Sequence, residues 1–216
     1  MSTDVTIVDY GIGNLFSARR AFEHCGAAKV SVTSNEEEIR NASFLVLPGV
    51  GAFRKGIEGL AEMNLIGAVK DYAASGRPLL GICLGMQLFA TRSYEFGETE
   101  GLDLIAGNVR KMPQTTDGGE SIRVPFVGWA KVEVAQPDAP GQRSVASLDG
   151  KHMYHVHSYM FEAERPENLV ASYTYGDTRI SAAVQHENVI GVQFHPEKSG
   201  RDGLQFLKHL IDSLPA

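Results

Sequence analysis

The chain has 216 residues, a length that fits one ordinary domain, and 43% of them are hydrophobic and 21% charged, which is a globular composition. Its net charge of −6 argues against a general nucleic-acid binder, and its two cysteines, Cys25 and Cys83, argue against a disulfide framework or a cysteine-based zinc site. The first residues lack the basic, then apolar, then small-residue pattern of a leader, and the longest apolar stretch (around 78–90) falls far short of the roughly 20 residues of a membrane span; a soluble, cytosolic protein is expected.

In chain order, DVTIVDYG (4–11) predicts a buried strand ending in a glycine turn. NLFSARRAFEHCG (14–26) places Leu15, Ala18, Ala21 and Phe22, and Cys25 at helical spacing, with Gly26 as a stop. AKVSVTS (28–34) predicts a second strand, and Ser34 with Glu37 three residues on predicts a capping box opening a helix over 34–42. SFLVLPG (43–49) predicts a third strand. KGIEGLAEMNLIGAVKDYAASG (55–76) predicts one long amphipathic helix with Ile57, Leu60, Leu65, Ala68 and Val69, and Tyr72 on a face. A fourth strand then runs into Cys83.

Strands alternating with helices predict an α/β fold with a mostly parallel sheet covered on both faces. The second half changes character. GNVRKMP, KVEVA, HMYHVHSYMFEAE, LVASYTYG, ISAAVQHE and VIGVQFH are closely spaced strand-like segments, expected as antiparallel additions to that sheet. GRDGLQFLKHLIDSL closes the chain with a helix burying Leu204, Leu207, Leu210 and Ile211, and Leu214. The stretches 114–121 and 135–144 are polar, Gly- or Pro-containing loops. No linker divides the chain, so residues 1–216 are expected to form a single domain.

The chemistry gathers in RPLLGICLGMQLFA (77–90), where a cysteine stands at the join of strand and helix with a glycine two residues to either side. A buried cysteine is often no more than a small hydrophobe. Gly81-x-Cys83-x-Gly85, however, has the spacing of a nucleophile elbow, in which glycines relieve the crowding of a sharp turn and the following helix favours thiolate. Cys25, on a helix face, reads as structural. Of seven histidines, His195 stands apart: VIGVQFH is an apolar strand stopped by Pro196, and Glu197 follows where it can hold the imidazole. Strand three ends in Pro48-Gly49-Val50-Gly51, flexible backbone that with the N–H of Leu84 offers donors for an oxyanion.

These segments resemble class I (triad) glutamine amidotransferases in three motifs taken in order: Pro48-Gly49-Val50-Gly51, Gly81-Ile82-Cys83-Leu84-Gly85-Met86-Gln87 and His195-Pro196-Glu197. DYGIGNLFSARRAFE, GLDLIAGNVRKM and HVHSY extend the resemblance over nearly the whole length, toward the glutaminase subunits of imidazole glycerol phosphate synthase in histidine biosynthesis. The resemblance implies a Cys83, His195, Glu197 triad that hydrolyses L-glutamine through a thioester, with no cofactor and no metal. It implies an oxyanion site from Gly49, Val50, Gly51 and Leu84, and substrate held by Gln87 and the backbone of His157, Ser158 and Tyr159. It implies a heterodimer in which ammonia passes to a synthase (cyclase) subunit of (β/α)8-barrel type, faced by the loop of Tyr10, Gly11, Gly13 and Asn14 and by Trp129. It implies no nucleic acid and no membrane as partner.

One departure stands out. Where these subunits usually carry Pro-His-Met/Ile-Gly-Trp-Asn, this chain has Pro125-Phe126-Val127-Gly128-Trp129-Ala130, so two polar groups are missing near the expected partner surface. That leaves open a paralogue supplying ammonia to a different synthase, such as one modifying a surface sugar. Three rivals lie in other classes. Gly11-x-Gly13 hints at a dinucleotide fingerprint but is incomplete, with Phe16 in place of the third glycine. A non-catalytic binding module on the same fold predicts no glutamine turnover even with a partner. A cysteine peptidase predicts cleavage with no partner at all.

Overall fold

The computed structural model describes residues 3–135 and 143–213. Its first half alternates: β1 (Val5–Val8), α1 (Leu15–His24), β2 (Val30–Thr33), α2 (Glu36–Arg40), β3 (Phe44–Gly49), α3 (Phe53–Glu62), α4 (Leu65–Ala74), β4 (Leu79–Cys83) and α5 (Leu84–Leu88). The second half is strand-rich: β5 (Arg92–Ser93), β6 (Thr99–Glu100), β7 (Gly107–Lys111), β8 (Phe126–Lys131), β9 (Glu133–Val134), α6 (Arg143–Ala146), β10 (His152–His157), β11 (Tyr159–Ala163), β12 (Leu169–Tyr175), β13 (Thr178–His186), β14 (Val189–Val192) and α7 (Gly200–Ser213). Among the described residues no helix is long and apolar enough to cross a membrane.

The main sheet has eight strands in the order β2-β1-β3-β4-β14-β13-β12-β9. β2, β1, β3, β4 and β14 pair in parallel, and β13, β12 and β9 continue antiparallel. Period-2 alternation divides the core into two layers. Val5, Ile7, Phe44, Val46, Leu80 and Ile82 face one cluster, packed with Phe22 of α1 and Phe206, Leu207 and Leu210 of α7. Val8, Leu45, Leu47 and Leu79 face the other, with Leu60 of α3 and Leu65, Val69 and Tyr72 of α4. Each such fully buried apolar side chain contributes about 1.5–3 kcal/mol, the main force holding helices to sheet.

Four expectations are corrected. The long helix is two, α3 and α4, broken at Asn64 in the left-handed region (φ 58°), a conformation asparagine tolerates. The break has a packing cause: on a continuous helix Leu60 and Leu65 would stand about 140° apart, and the break lets both enter one cluster. The α2 cap is Asn35, not Ser34; its side-chain oxygen accepts from the N–H groups of Glu37 and Glu38 at 2.9 and 3.1 Å. The later strands do not all join the main sheet. β10 pairs with β8 in a two-stranded ribbon, and β11, β7, β5 and β6 form a separate four-stranded sheet. HMYHVHSYMFEAE therefore splits at Ser158, where the chain leaves one small sheet for another. In the closing helix Leu204 is only partly buried, while Phe206 lies in the core. Leu214 and most of the 135–144 loop lie outside the described residues.

Candidate active site

β3, β4 and β14 are neighbours at the centre of the main sheet and run the same way. Their carboxyl ends therefore meet, and that is where open parallel sheets build sites. From β3 comes Pro48-Gly49-Val50-Gly51, from β4 Cys83, and from the segment after β14 His195 and Glu197. A cavity of about 350 Å³ opens there, lined among others by Val50, Gly51, Cys83, Leu84, Gln87, Glu95 and His195.

The two elbow glycines answer to sterics. Cys83 turns at φ 55°, ψ −106°, a conformation a non-glycine residue adopts only when its surroundings over-determine it. A Cβ on Gly85 would sit on the Leu47 carbonyl, and one on Gly81 would come within 2.7 Å of the Met86 nitrogen. Gly49, opposite Cys83 in the β3–β4 register, has no room either: a Cβ there would lie 2.9 Å from the Leu84 Cβ. The helix after the elbow has five residues, so its dipole is a small contribution. Leu84 is its first residue, and its N–H has no partner one turn back.

His195 is held on three sides. Its own N–H donates to the Tyr154 carbonyl at 2.9 Å. Its carbonyl accepts from the Ser199 hydroxyl at 2.7 Å, and that hydroxyl accepts in turn from the Tyr154 N–H at 2.9 Å. Nδ1 meets Glu197 Oε1 at 2.8 Å, with both side chains buried. A carboxylate there fixes the tautomer: Nδ1 carries a proton and Nε2 is left for the cavity side. Nε2 completes no hydrogen bond of good geometry, yet Cys83 is near enough to act on it. Desolvation, the largest influence, lowers the imidazole; Cys83 and Glu197 together outweigh it and raise it from 6.5 to about 9. An imidazolium is thus the favoured partner of a negative sulfur.

The far wall is β10 and the turn into β11. His157, Ser158 and Tyr159 all line the cavity, and Gln87 faces them from α5. The Tyr159 carbonyl accepts from His157 Nδ1 at 2.8 Å and from Gln87 Nε2 at 3.1 Å. His157 Nε2 then accepts from the Tyr173 hydroxyl at 2.9 Å, which requires neutral imidazole; burial agrees, pushing its pKa down to about 4. His157 is a strut and leaves no ring nitrogen for a ligand.

Three participants escaped the sequence reading. Glu95 is a buried carboxylate in the cavity wall, with Oε2 accepting from the Phe53 N–H at 2.6 Å. Gln193 is fully buried and reaches the Cys83 sulfur. Ser199 clamps His195 as described. No local motif distinguishes any of them; only the fold brings them in.

The partner-surface expectations divide. Trp129 is 53% exposed and Val127, on the same face of β8, is 57% exposed. Gly11 and Asn14 are exposed, and Gly13 packs on Pro48 and Gly49. Tyr10 is not surface: it is 1% exposed, with its hydroxyl donating to the Pro48 carbonyl at 2.6 Å, so it braces the glycine-rich end of β3. The two departures also point inward. Phe126 packs against Tyr175 and Tyr173 at ring distances of 4.6 and 5.3 Å, and Ala130 is buried. They fill an aromatic core, so they say nothing against a partner on the Trp129 face.

The comparisons agree with this geometry. The family model described as glutamine amidotransferase class-I matches residues 6–212. The chain is 43% identical over 211 residues to imidazole glycerol phosphate synthase subunit HisH 1 of Legionella pneumophila (strain Paris), covering 97% of this chain and 99% of that one. It is 41% identical over 212 residues to the HisH subunit of Geobacillus thermodenitrificans, covering 97% and 95%. Among solved structures it is similar in fold to PurLQS from Thermotoga maritima, with a TM-score of 0.73 at 18% identity and full coverage of both chains. An elbow cysteine, a carboxylate-held histidine and near-complete alignment all lead to one assignment: this chain belongs to the class I glutamine amidotransferase family, among its HisH subunits.

Proposed function

We propose that the chain is the glutaminase subunit of an imidazole glycerol phosphate synthase, with Cys83 as nucleophile and His195 and Glu197 completing its triad. The observation that carries this is the convergence of three parallel strand ends on one cavity: the sulfur, a histidine anchored on three sides and a glycine-rich segment share it. Glutamine enters with its α-ammonium toward Glu95 and the Gln87 oxygen in the wall, and its carboxylate toward the backbone N–H groups of Ser158 and Tyr159.

The sulfur attacks the side-chain amide carbon. A C–S bond forms and the carbonyl oxygen becomes an oxyanion, held by N–H groups of Val50, Gly51 and Leu84. Nε2 of His195 gives its proton to the amide nitrogen, the C–N bond breaks, and ammonia leaves. Water then attacks the thioester as Nε2 takes its proton; the C–S bond breaks, and glutamate and the thiol are restored. Glu197 keeps the imidazole oriented throughout and carries no proton in transit.

Ammonia released to water would be protonated and lose its nucleophilicity, so it is passed directly to a cyclase subunit of (β/α)8-barrel type docked on the Gly11–Asn14 loop and the Trp129 face. Gly13 lies against Gly49, so a subunit pressing on that loop acts on the oxyanion segment itself. Mixing the chain with the cyclase subunit of its own organism, with the cyclase substrate present, is the test. Glutamate release is expected to rise about a hundredfold or more, the worth of one oxyanion donor brought into place. Release that does not respond to that subunit would sink the assignment.

A further inference from the structure

Two side-chain amides connect the cavity wall to the nucleophile. Gln87 Nε2 donates to the Tyr159 carbonyl at 3.1 Å and to Gln193 Oε1 at 2.9 Å, and Gln193 Nε2 lies 3.7 Å from the Cys83 sulfur. The direction of this relay is forced. A backbone carbonyl only accepts, so the NH2 of Gln87 must face Tyr159. Its second hydrogen points at Gln193, which must therefore turn its oxygen inward. The nitrogen of Gln193 is then left for the sulfur. Gln193 is fully buried and Gln87 nearly so. Turning Gln193 over would set donor against donor, and turning Gln87 over would set its oxygen against two other acceptors.

We propose that Gln193 is a catalytic residue whose amide N–H is a fixed donor to the Cys83 sulfur, and that Gln87 is a positioning residue that locks it in the donating orientation. Charged acceptors make the stronger hydrogen bonds, so the donor favours the sulfur whenever it is an anion. That is the case before attack on glutamine, and again as water expels the sulfur from the thioester. Gln193 moves no proton; His195 does that. The five-residue helix after the elbow offers little dipole, so this side-chain donor supplies what the turn lacks.

The inference rests on Cys83 being the nucleophile, and the test separates the two. The full chain is treated with iodoacetamide from pH 6 to 10, and alkylation of Cys83 and Cys25 is followed separately by peptide mass spectrometry. If Cys83 in the unsubstituted chain reacts no faster than Cys25, the nucleophile reading fails. If it reacts faster, the relay is on trial. Gln193→Leu removes the donor. Gln87→Glu replaces a donor by an acceptor, draws the Gln193 NH2 inward and turns its oxygen onto the sulfur. Both are expected to slow Cys83 alkylation about tenfold at pH 7. Rates equal to the unsubstituted chain at every pH would overturn the proposal. Should the buried variants not fold, the unsubstituted chain still decides: the Gln193 side-chain amide protons must move upfield when alkylation removes their anionic acceptor, and protons that stay or move downfield overturn it.

Discussion

The two cysteines are equally hidden and differ in everything else. Cys25 is 5% exposed and Cys83 is 7% exposed. Cys25 sits at the end of α1 with its thiol donating to the Leu204 carbonyl at 3.2 Å, and desolvation pushes its pKa up. It is a proton donor, and its burial outweighs the nearby Lys208, so the proton suits it. Cys83 accepts from Gln193 and stands beside an imidazole pushed to about 9. Burial therefore does not decide what a cysteine does. The sign of the groups around it does: carbonyls keep a sulfur protonated, while amides and imidazolium prepare it to be an anion.

The hardest way to break this comparison is to remove each sulfur in turn. Cys83→Ala is expected to abolish glutamine hydrolysis by the complex while leaving synthesis from added ammonium salts intact. Cys25→Ala is expected to leave both rates within a factor of about two, with a small loss of stability from the deleted sulfur. Glutamate and product assays on the purified complex measure both. Normal glutamine turnover by Cys83→Ala would end the mechanism.

The comparison sharpens at His195. His195→Ala is expected to cost about 10²–10⁴ in turnover, the range for a general acid–base. Glu197→Gln, which keeps a carbonyl oxygen for the Nδ1 proton, is expected to cost less; equal residual rates would refute the division of roles. The pair also has a pH signature. A histidine raised from 6.5 to about 9 binds its proton more tightly folded than unfolded. Its contribution to stability is full below 6.5 and is lost as pH climbs through 9. Thermal melts of the unsubstituted chain should therefore decline across that window, and those of Glu197→Gln should decline less.

The parallel half was legible because each of its elements announces itself locally. An apolar run, a glycine stop and a Gly-x-Cys-x-Gly elbow are short-range signals, even though the crowding that demands Gly85 comes from the Leu47 carbonyl of β3. The elbow cysteine, the glycine-rich end of β3 and the pairing of His195 with Glu197 were accordingly visible. The strand-rich half was read less well because β10 and β11 are consecutive segments of one apolar stretch. Which sheet each joins is settled by distant pairing, β10 with β8 and β11 with β7. Gln193, Glu95 and Ser199 carry no spacing rule; an amide two residues before a histidine looks like any strand residue until the fold turns it to the sulfur. Tyr10 was misplaced for a similar reason, since an aromatic beside a glycine loop does not say which way it faces.

The last contrast is among three buried histidines that share the same region, and it supplies the smallest effect. His195 has its carboxylate and His157 has a carbonyl and a phenol. His155 is fully buried, its ring tilted 4.4 Å from the Tyr173 ring, and among the described residues neither of its nitrogens finds a partner. Desolvation first, then the nearby His157 and His195, hold its pKa well below 6.5. Such a histidine stays neutral in the fold but takes a proton once unfolded, so it subtracts stability as pH falls below 6.5. Leucine at this position removes two unsatisfied nitrogens and keeps an apolar body against Tyr173. His155→Leu is expected to raise unfolding stability by about 1–2 kcal/mol at pH 8, the cost of an unmet polar group, and by more at pH 5.5. Urea midpoints at the two pH values measure it. A loss of stability, or a gain that does not grow with acidification, would mean that this imidazole is satisfied in the fold after all and that the aromatic cluster is not the dry pocket its contacts describe.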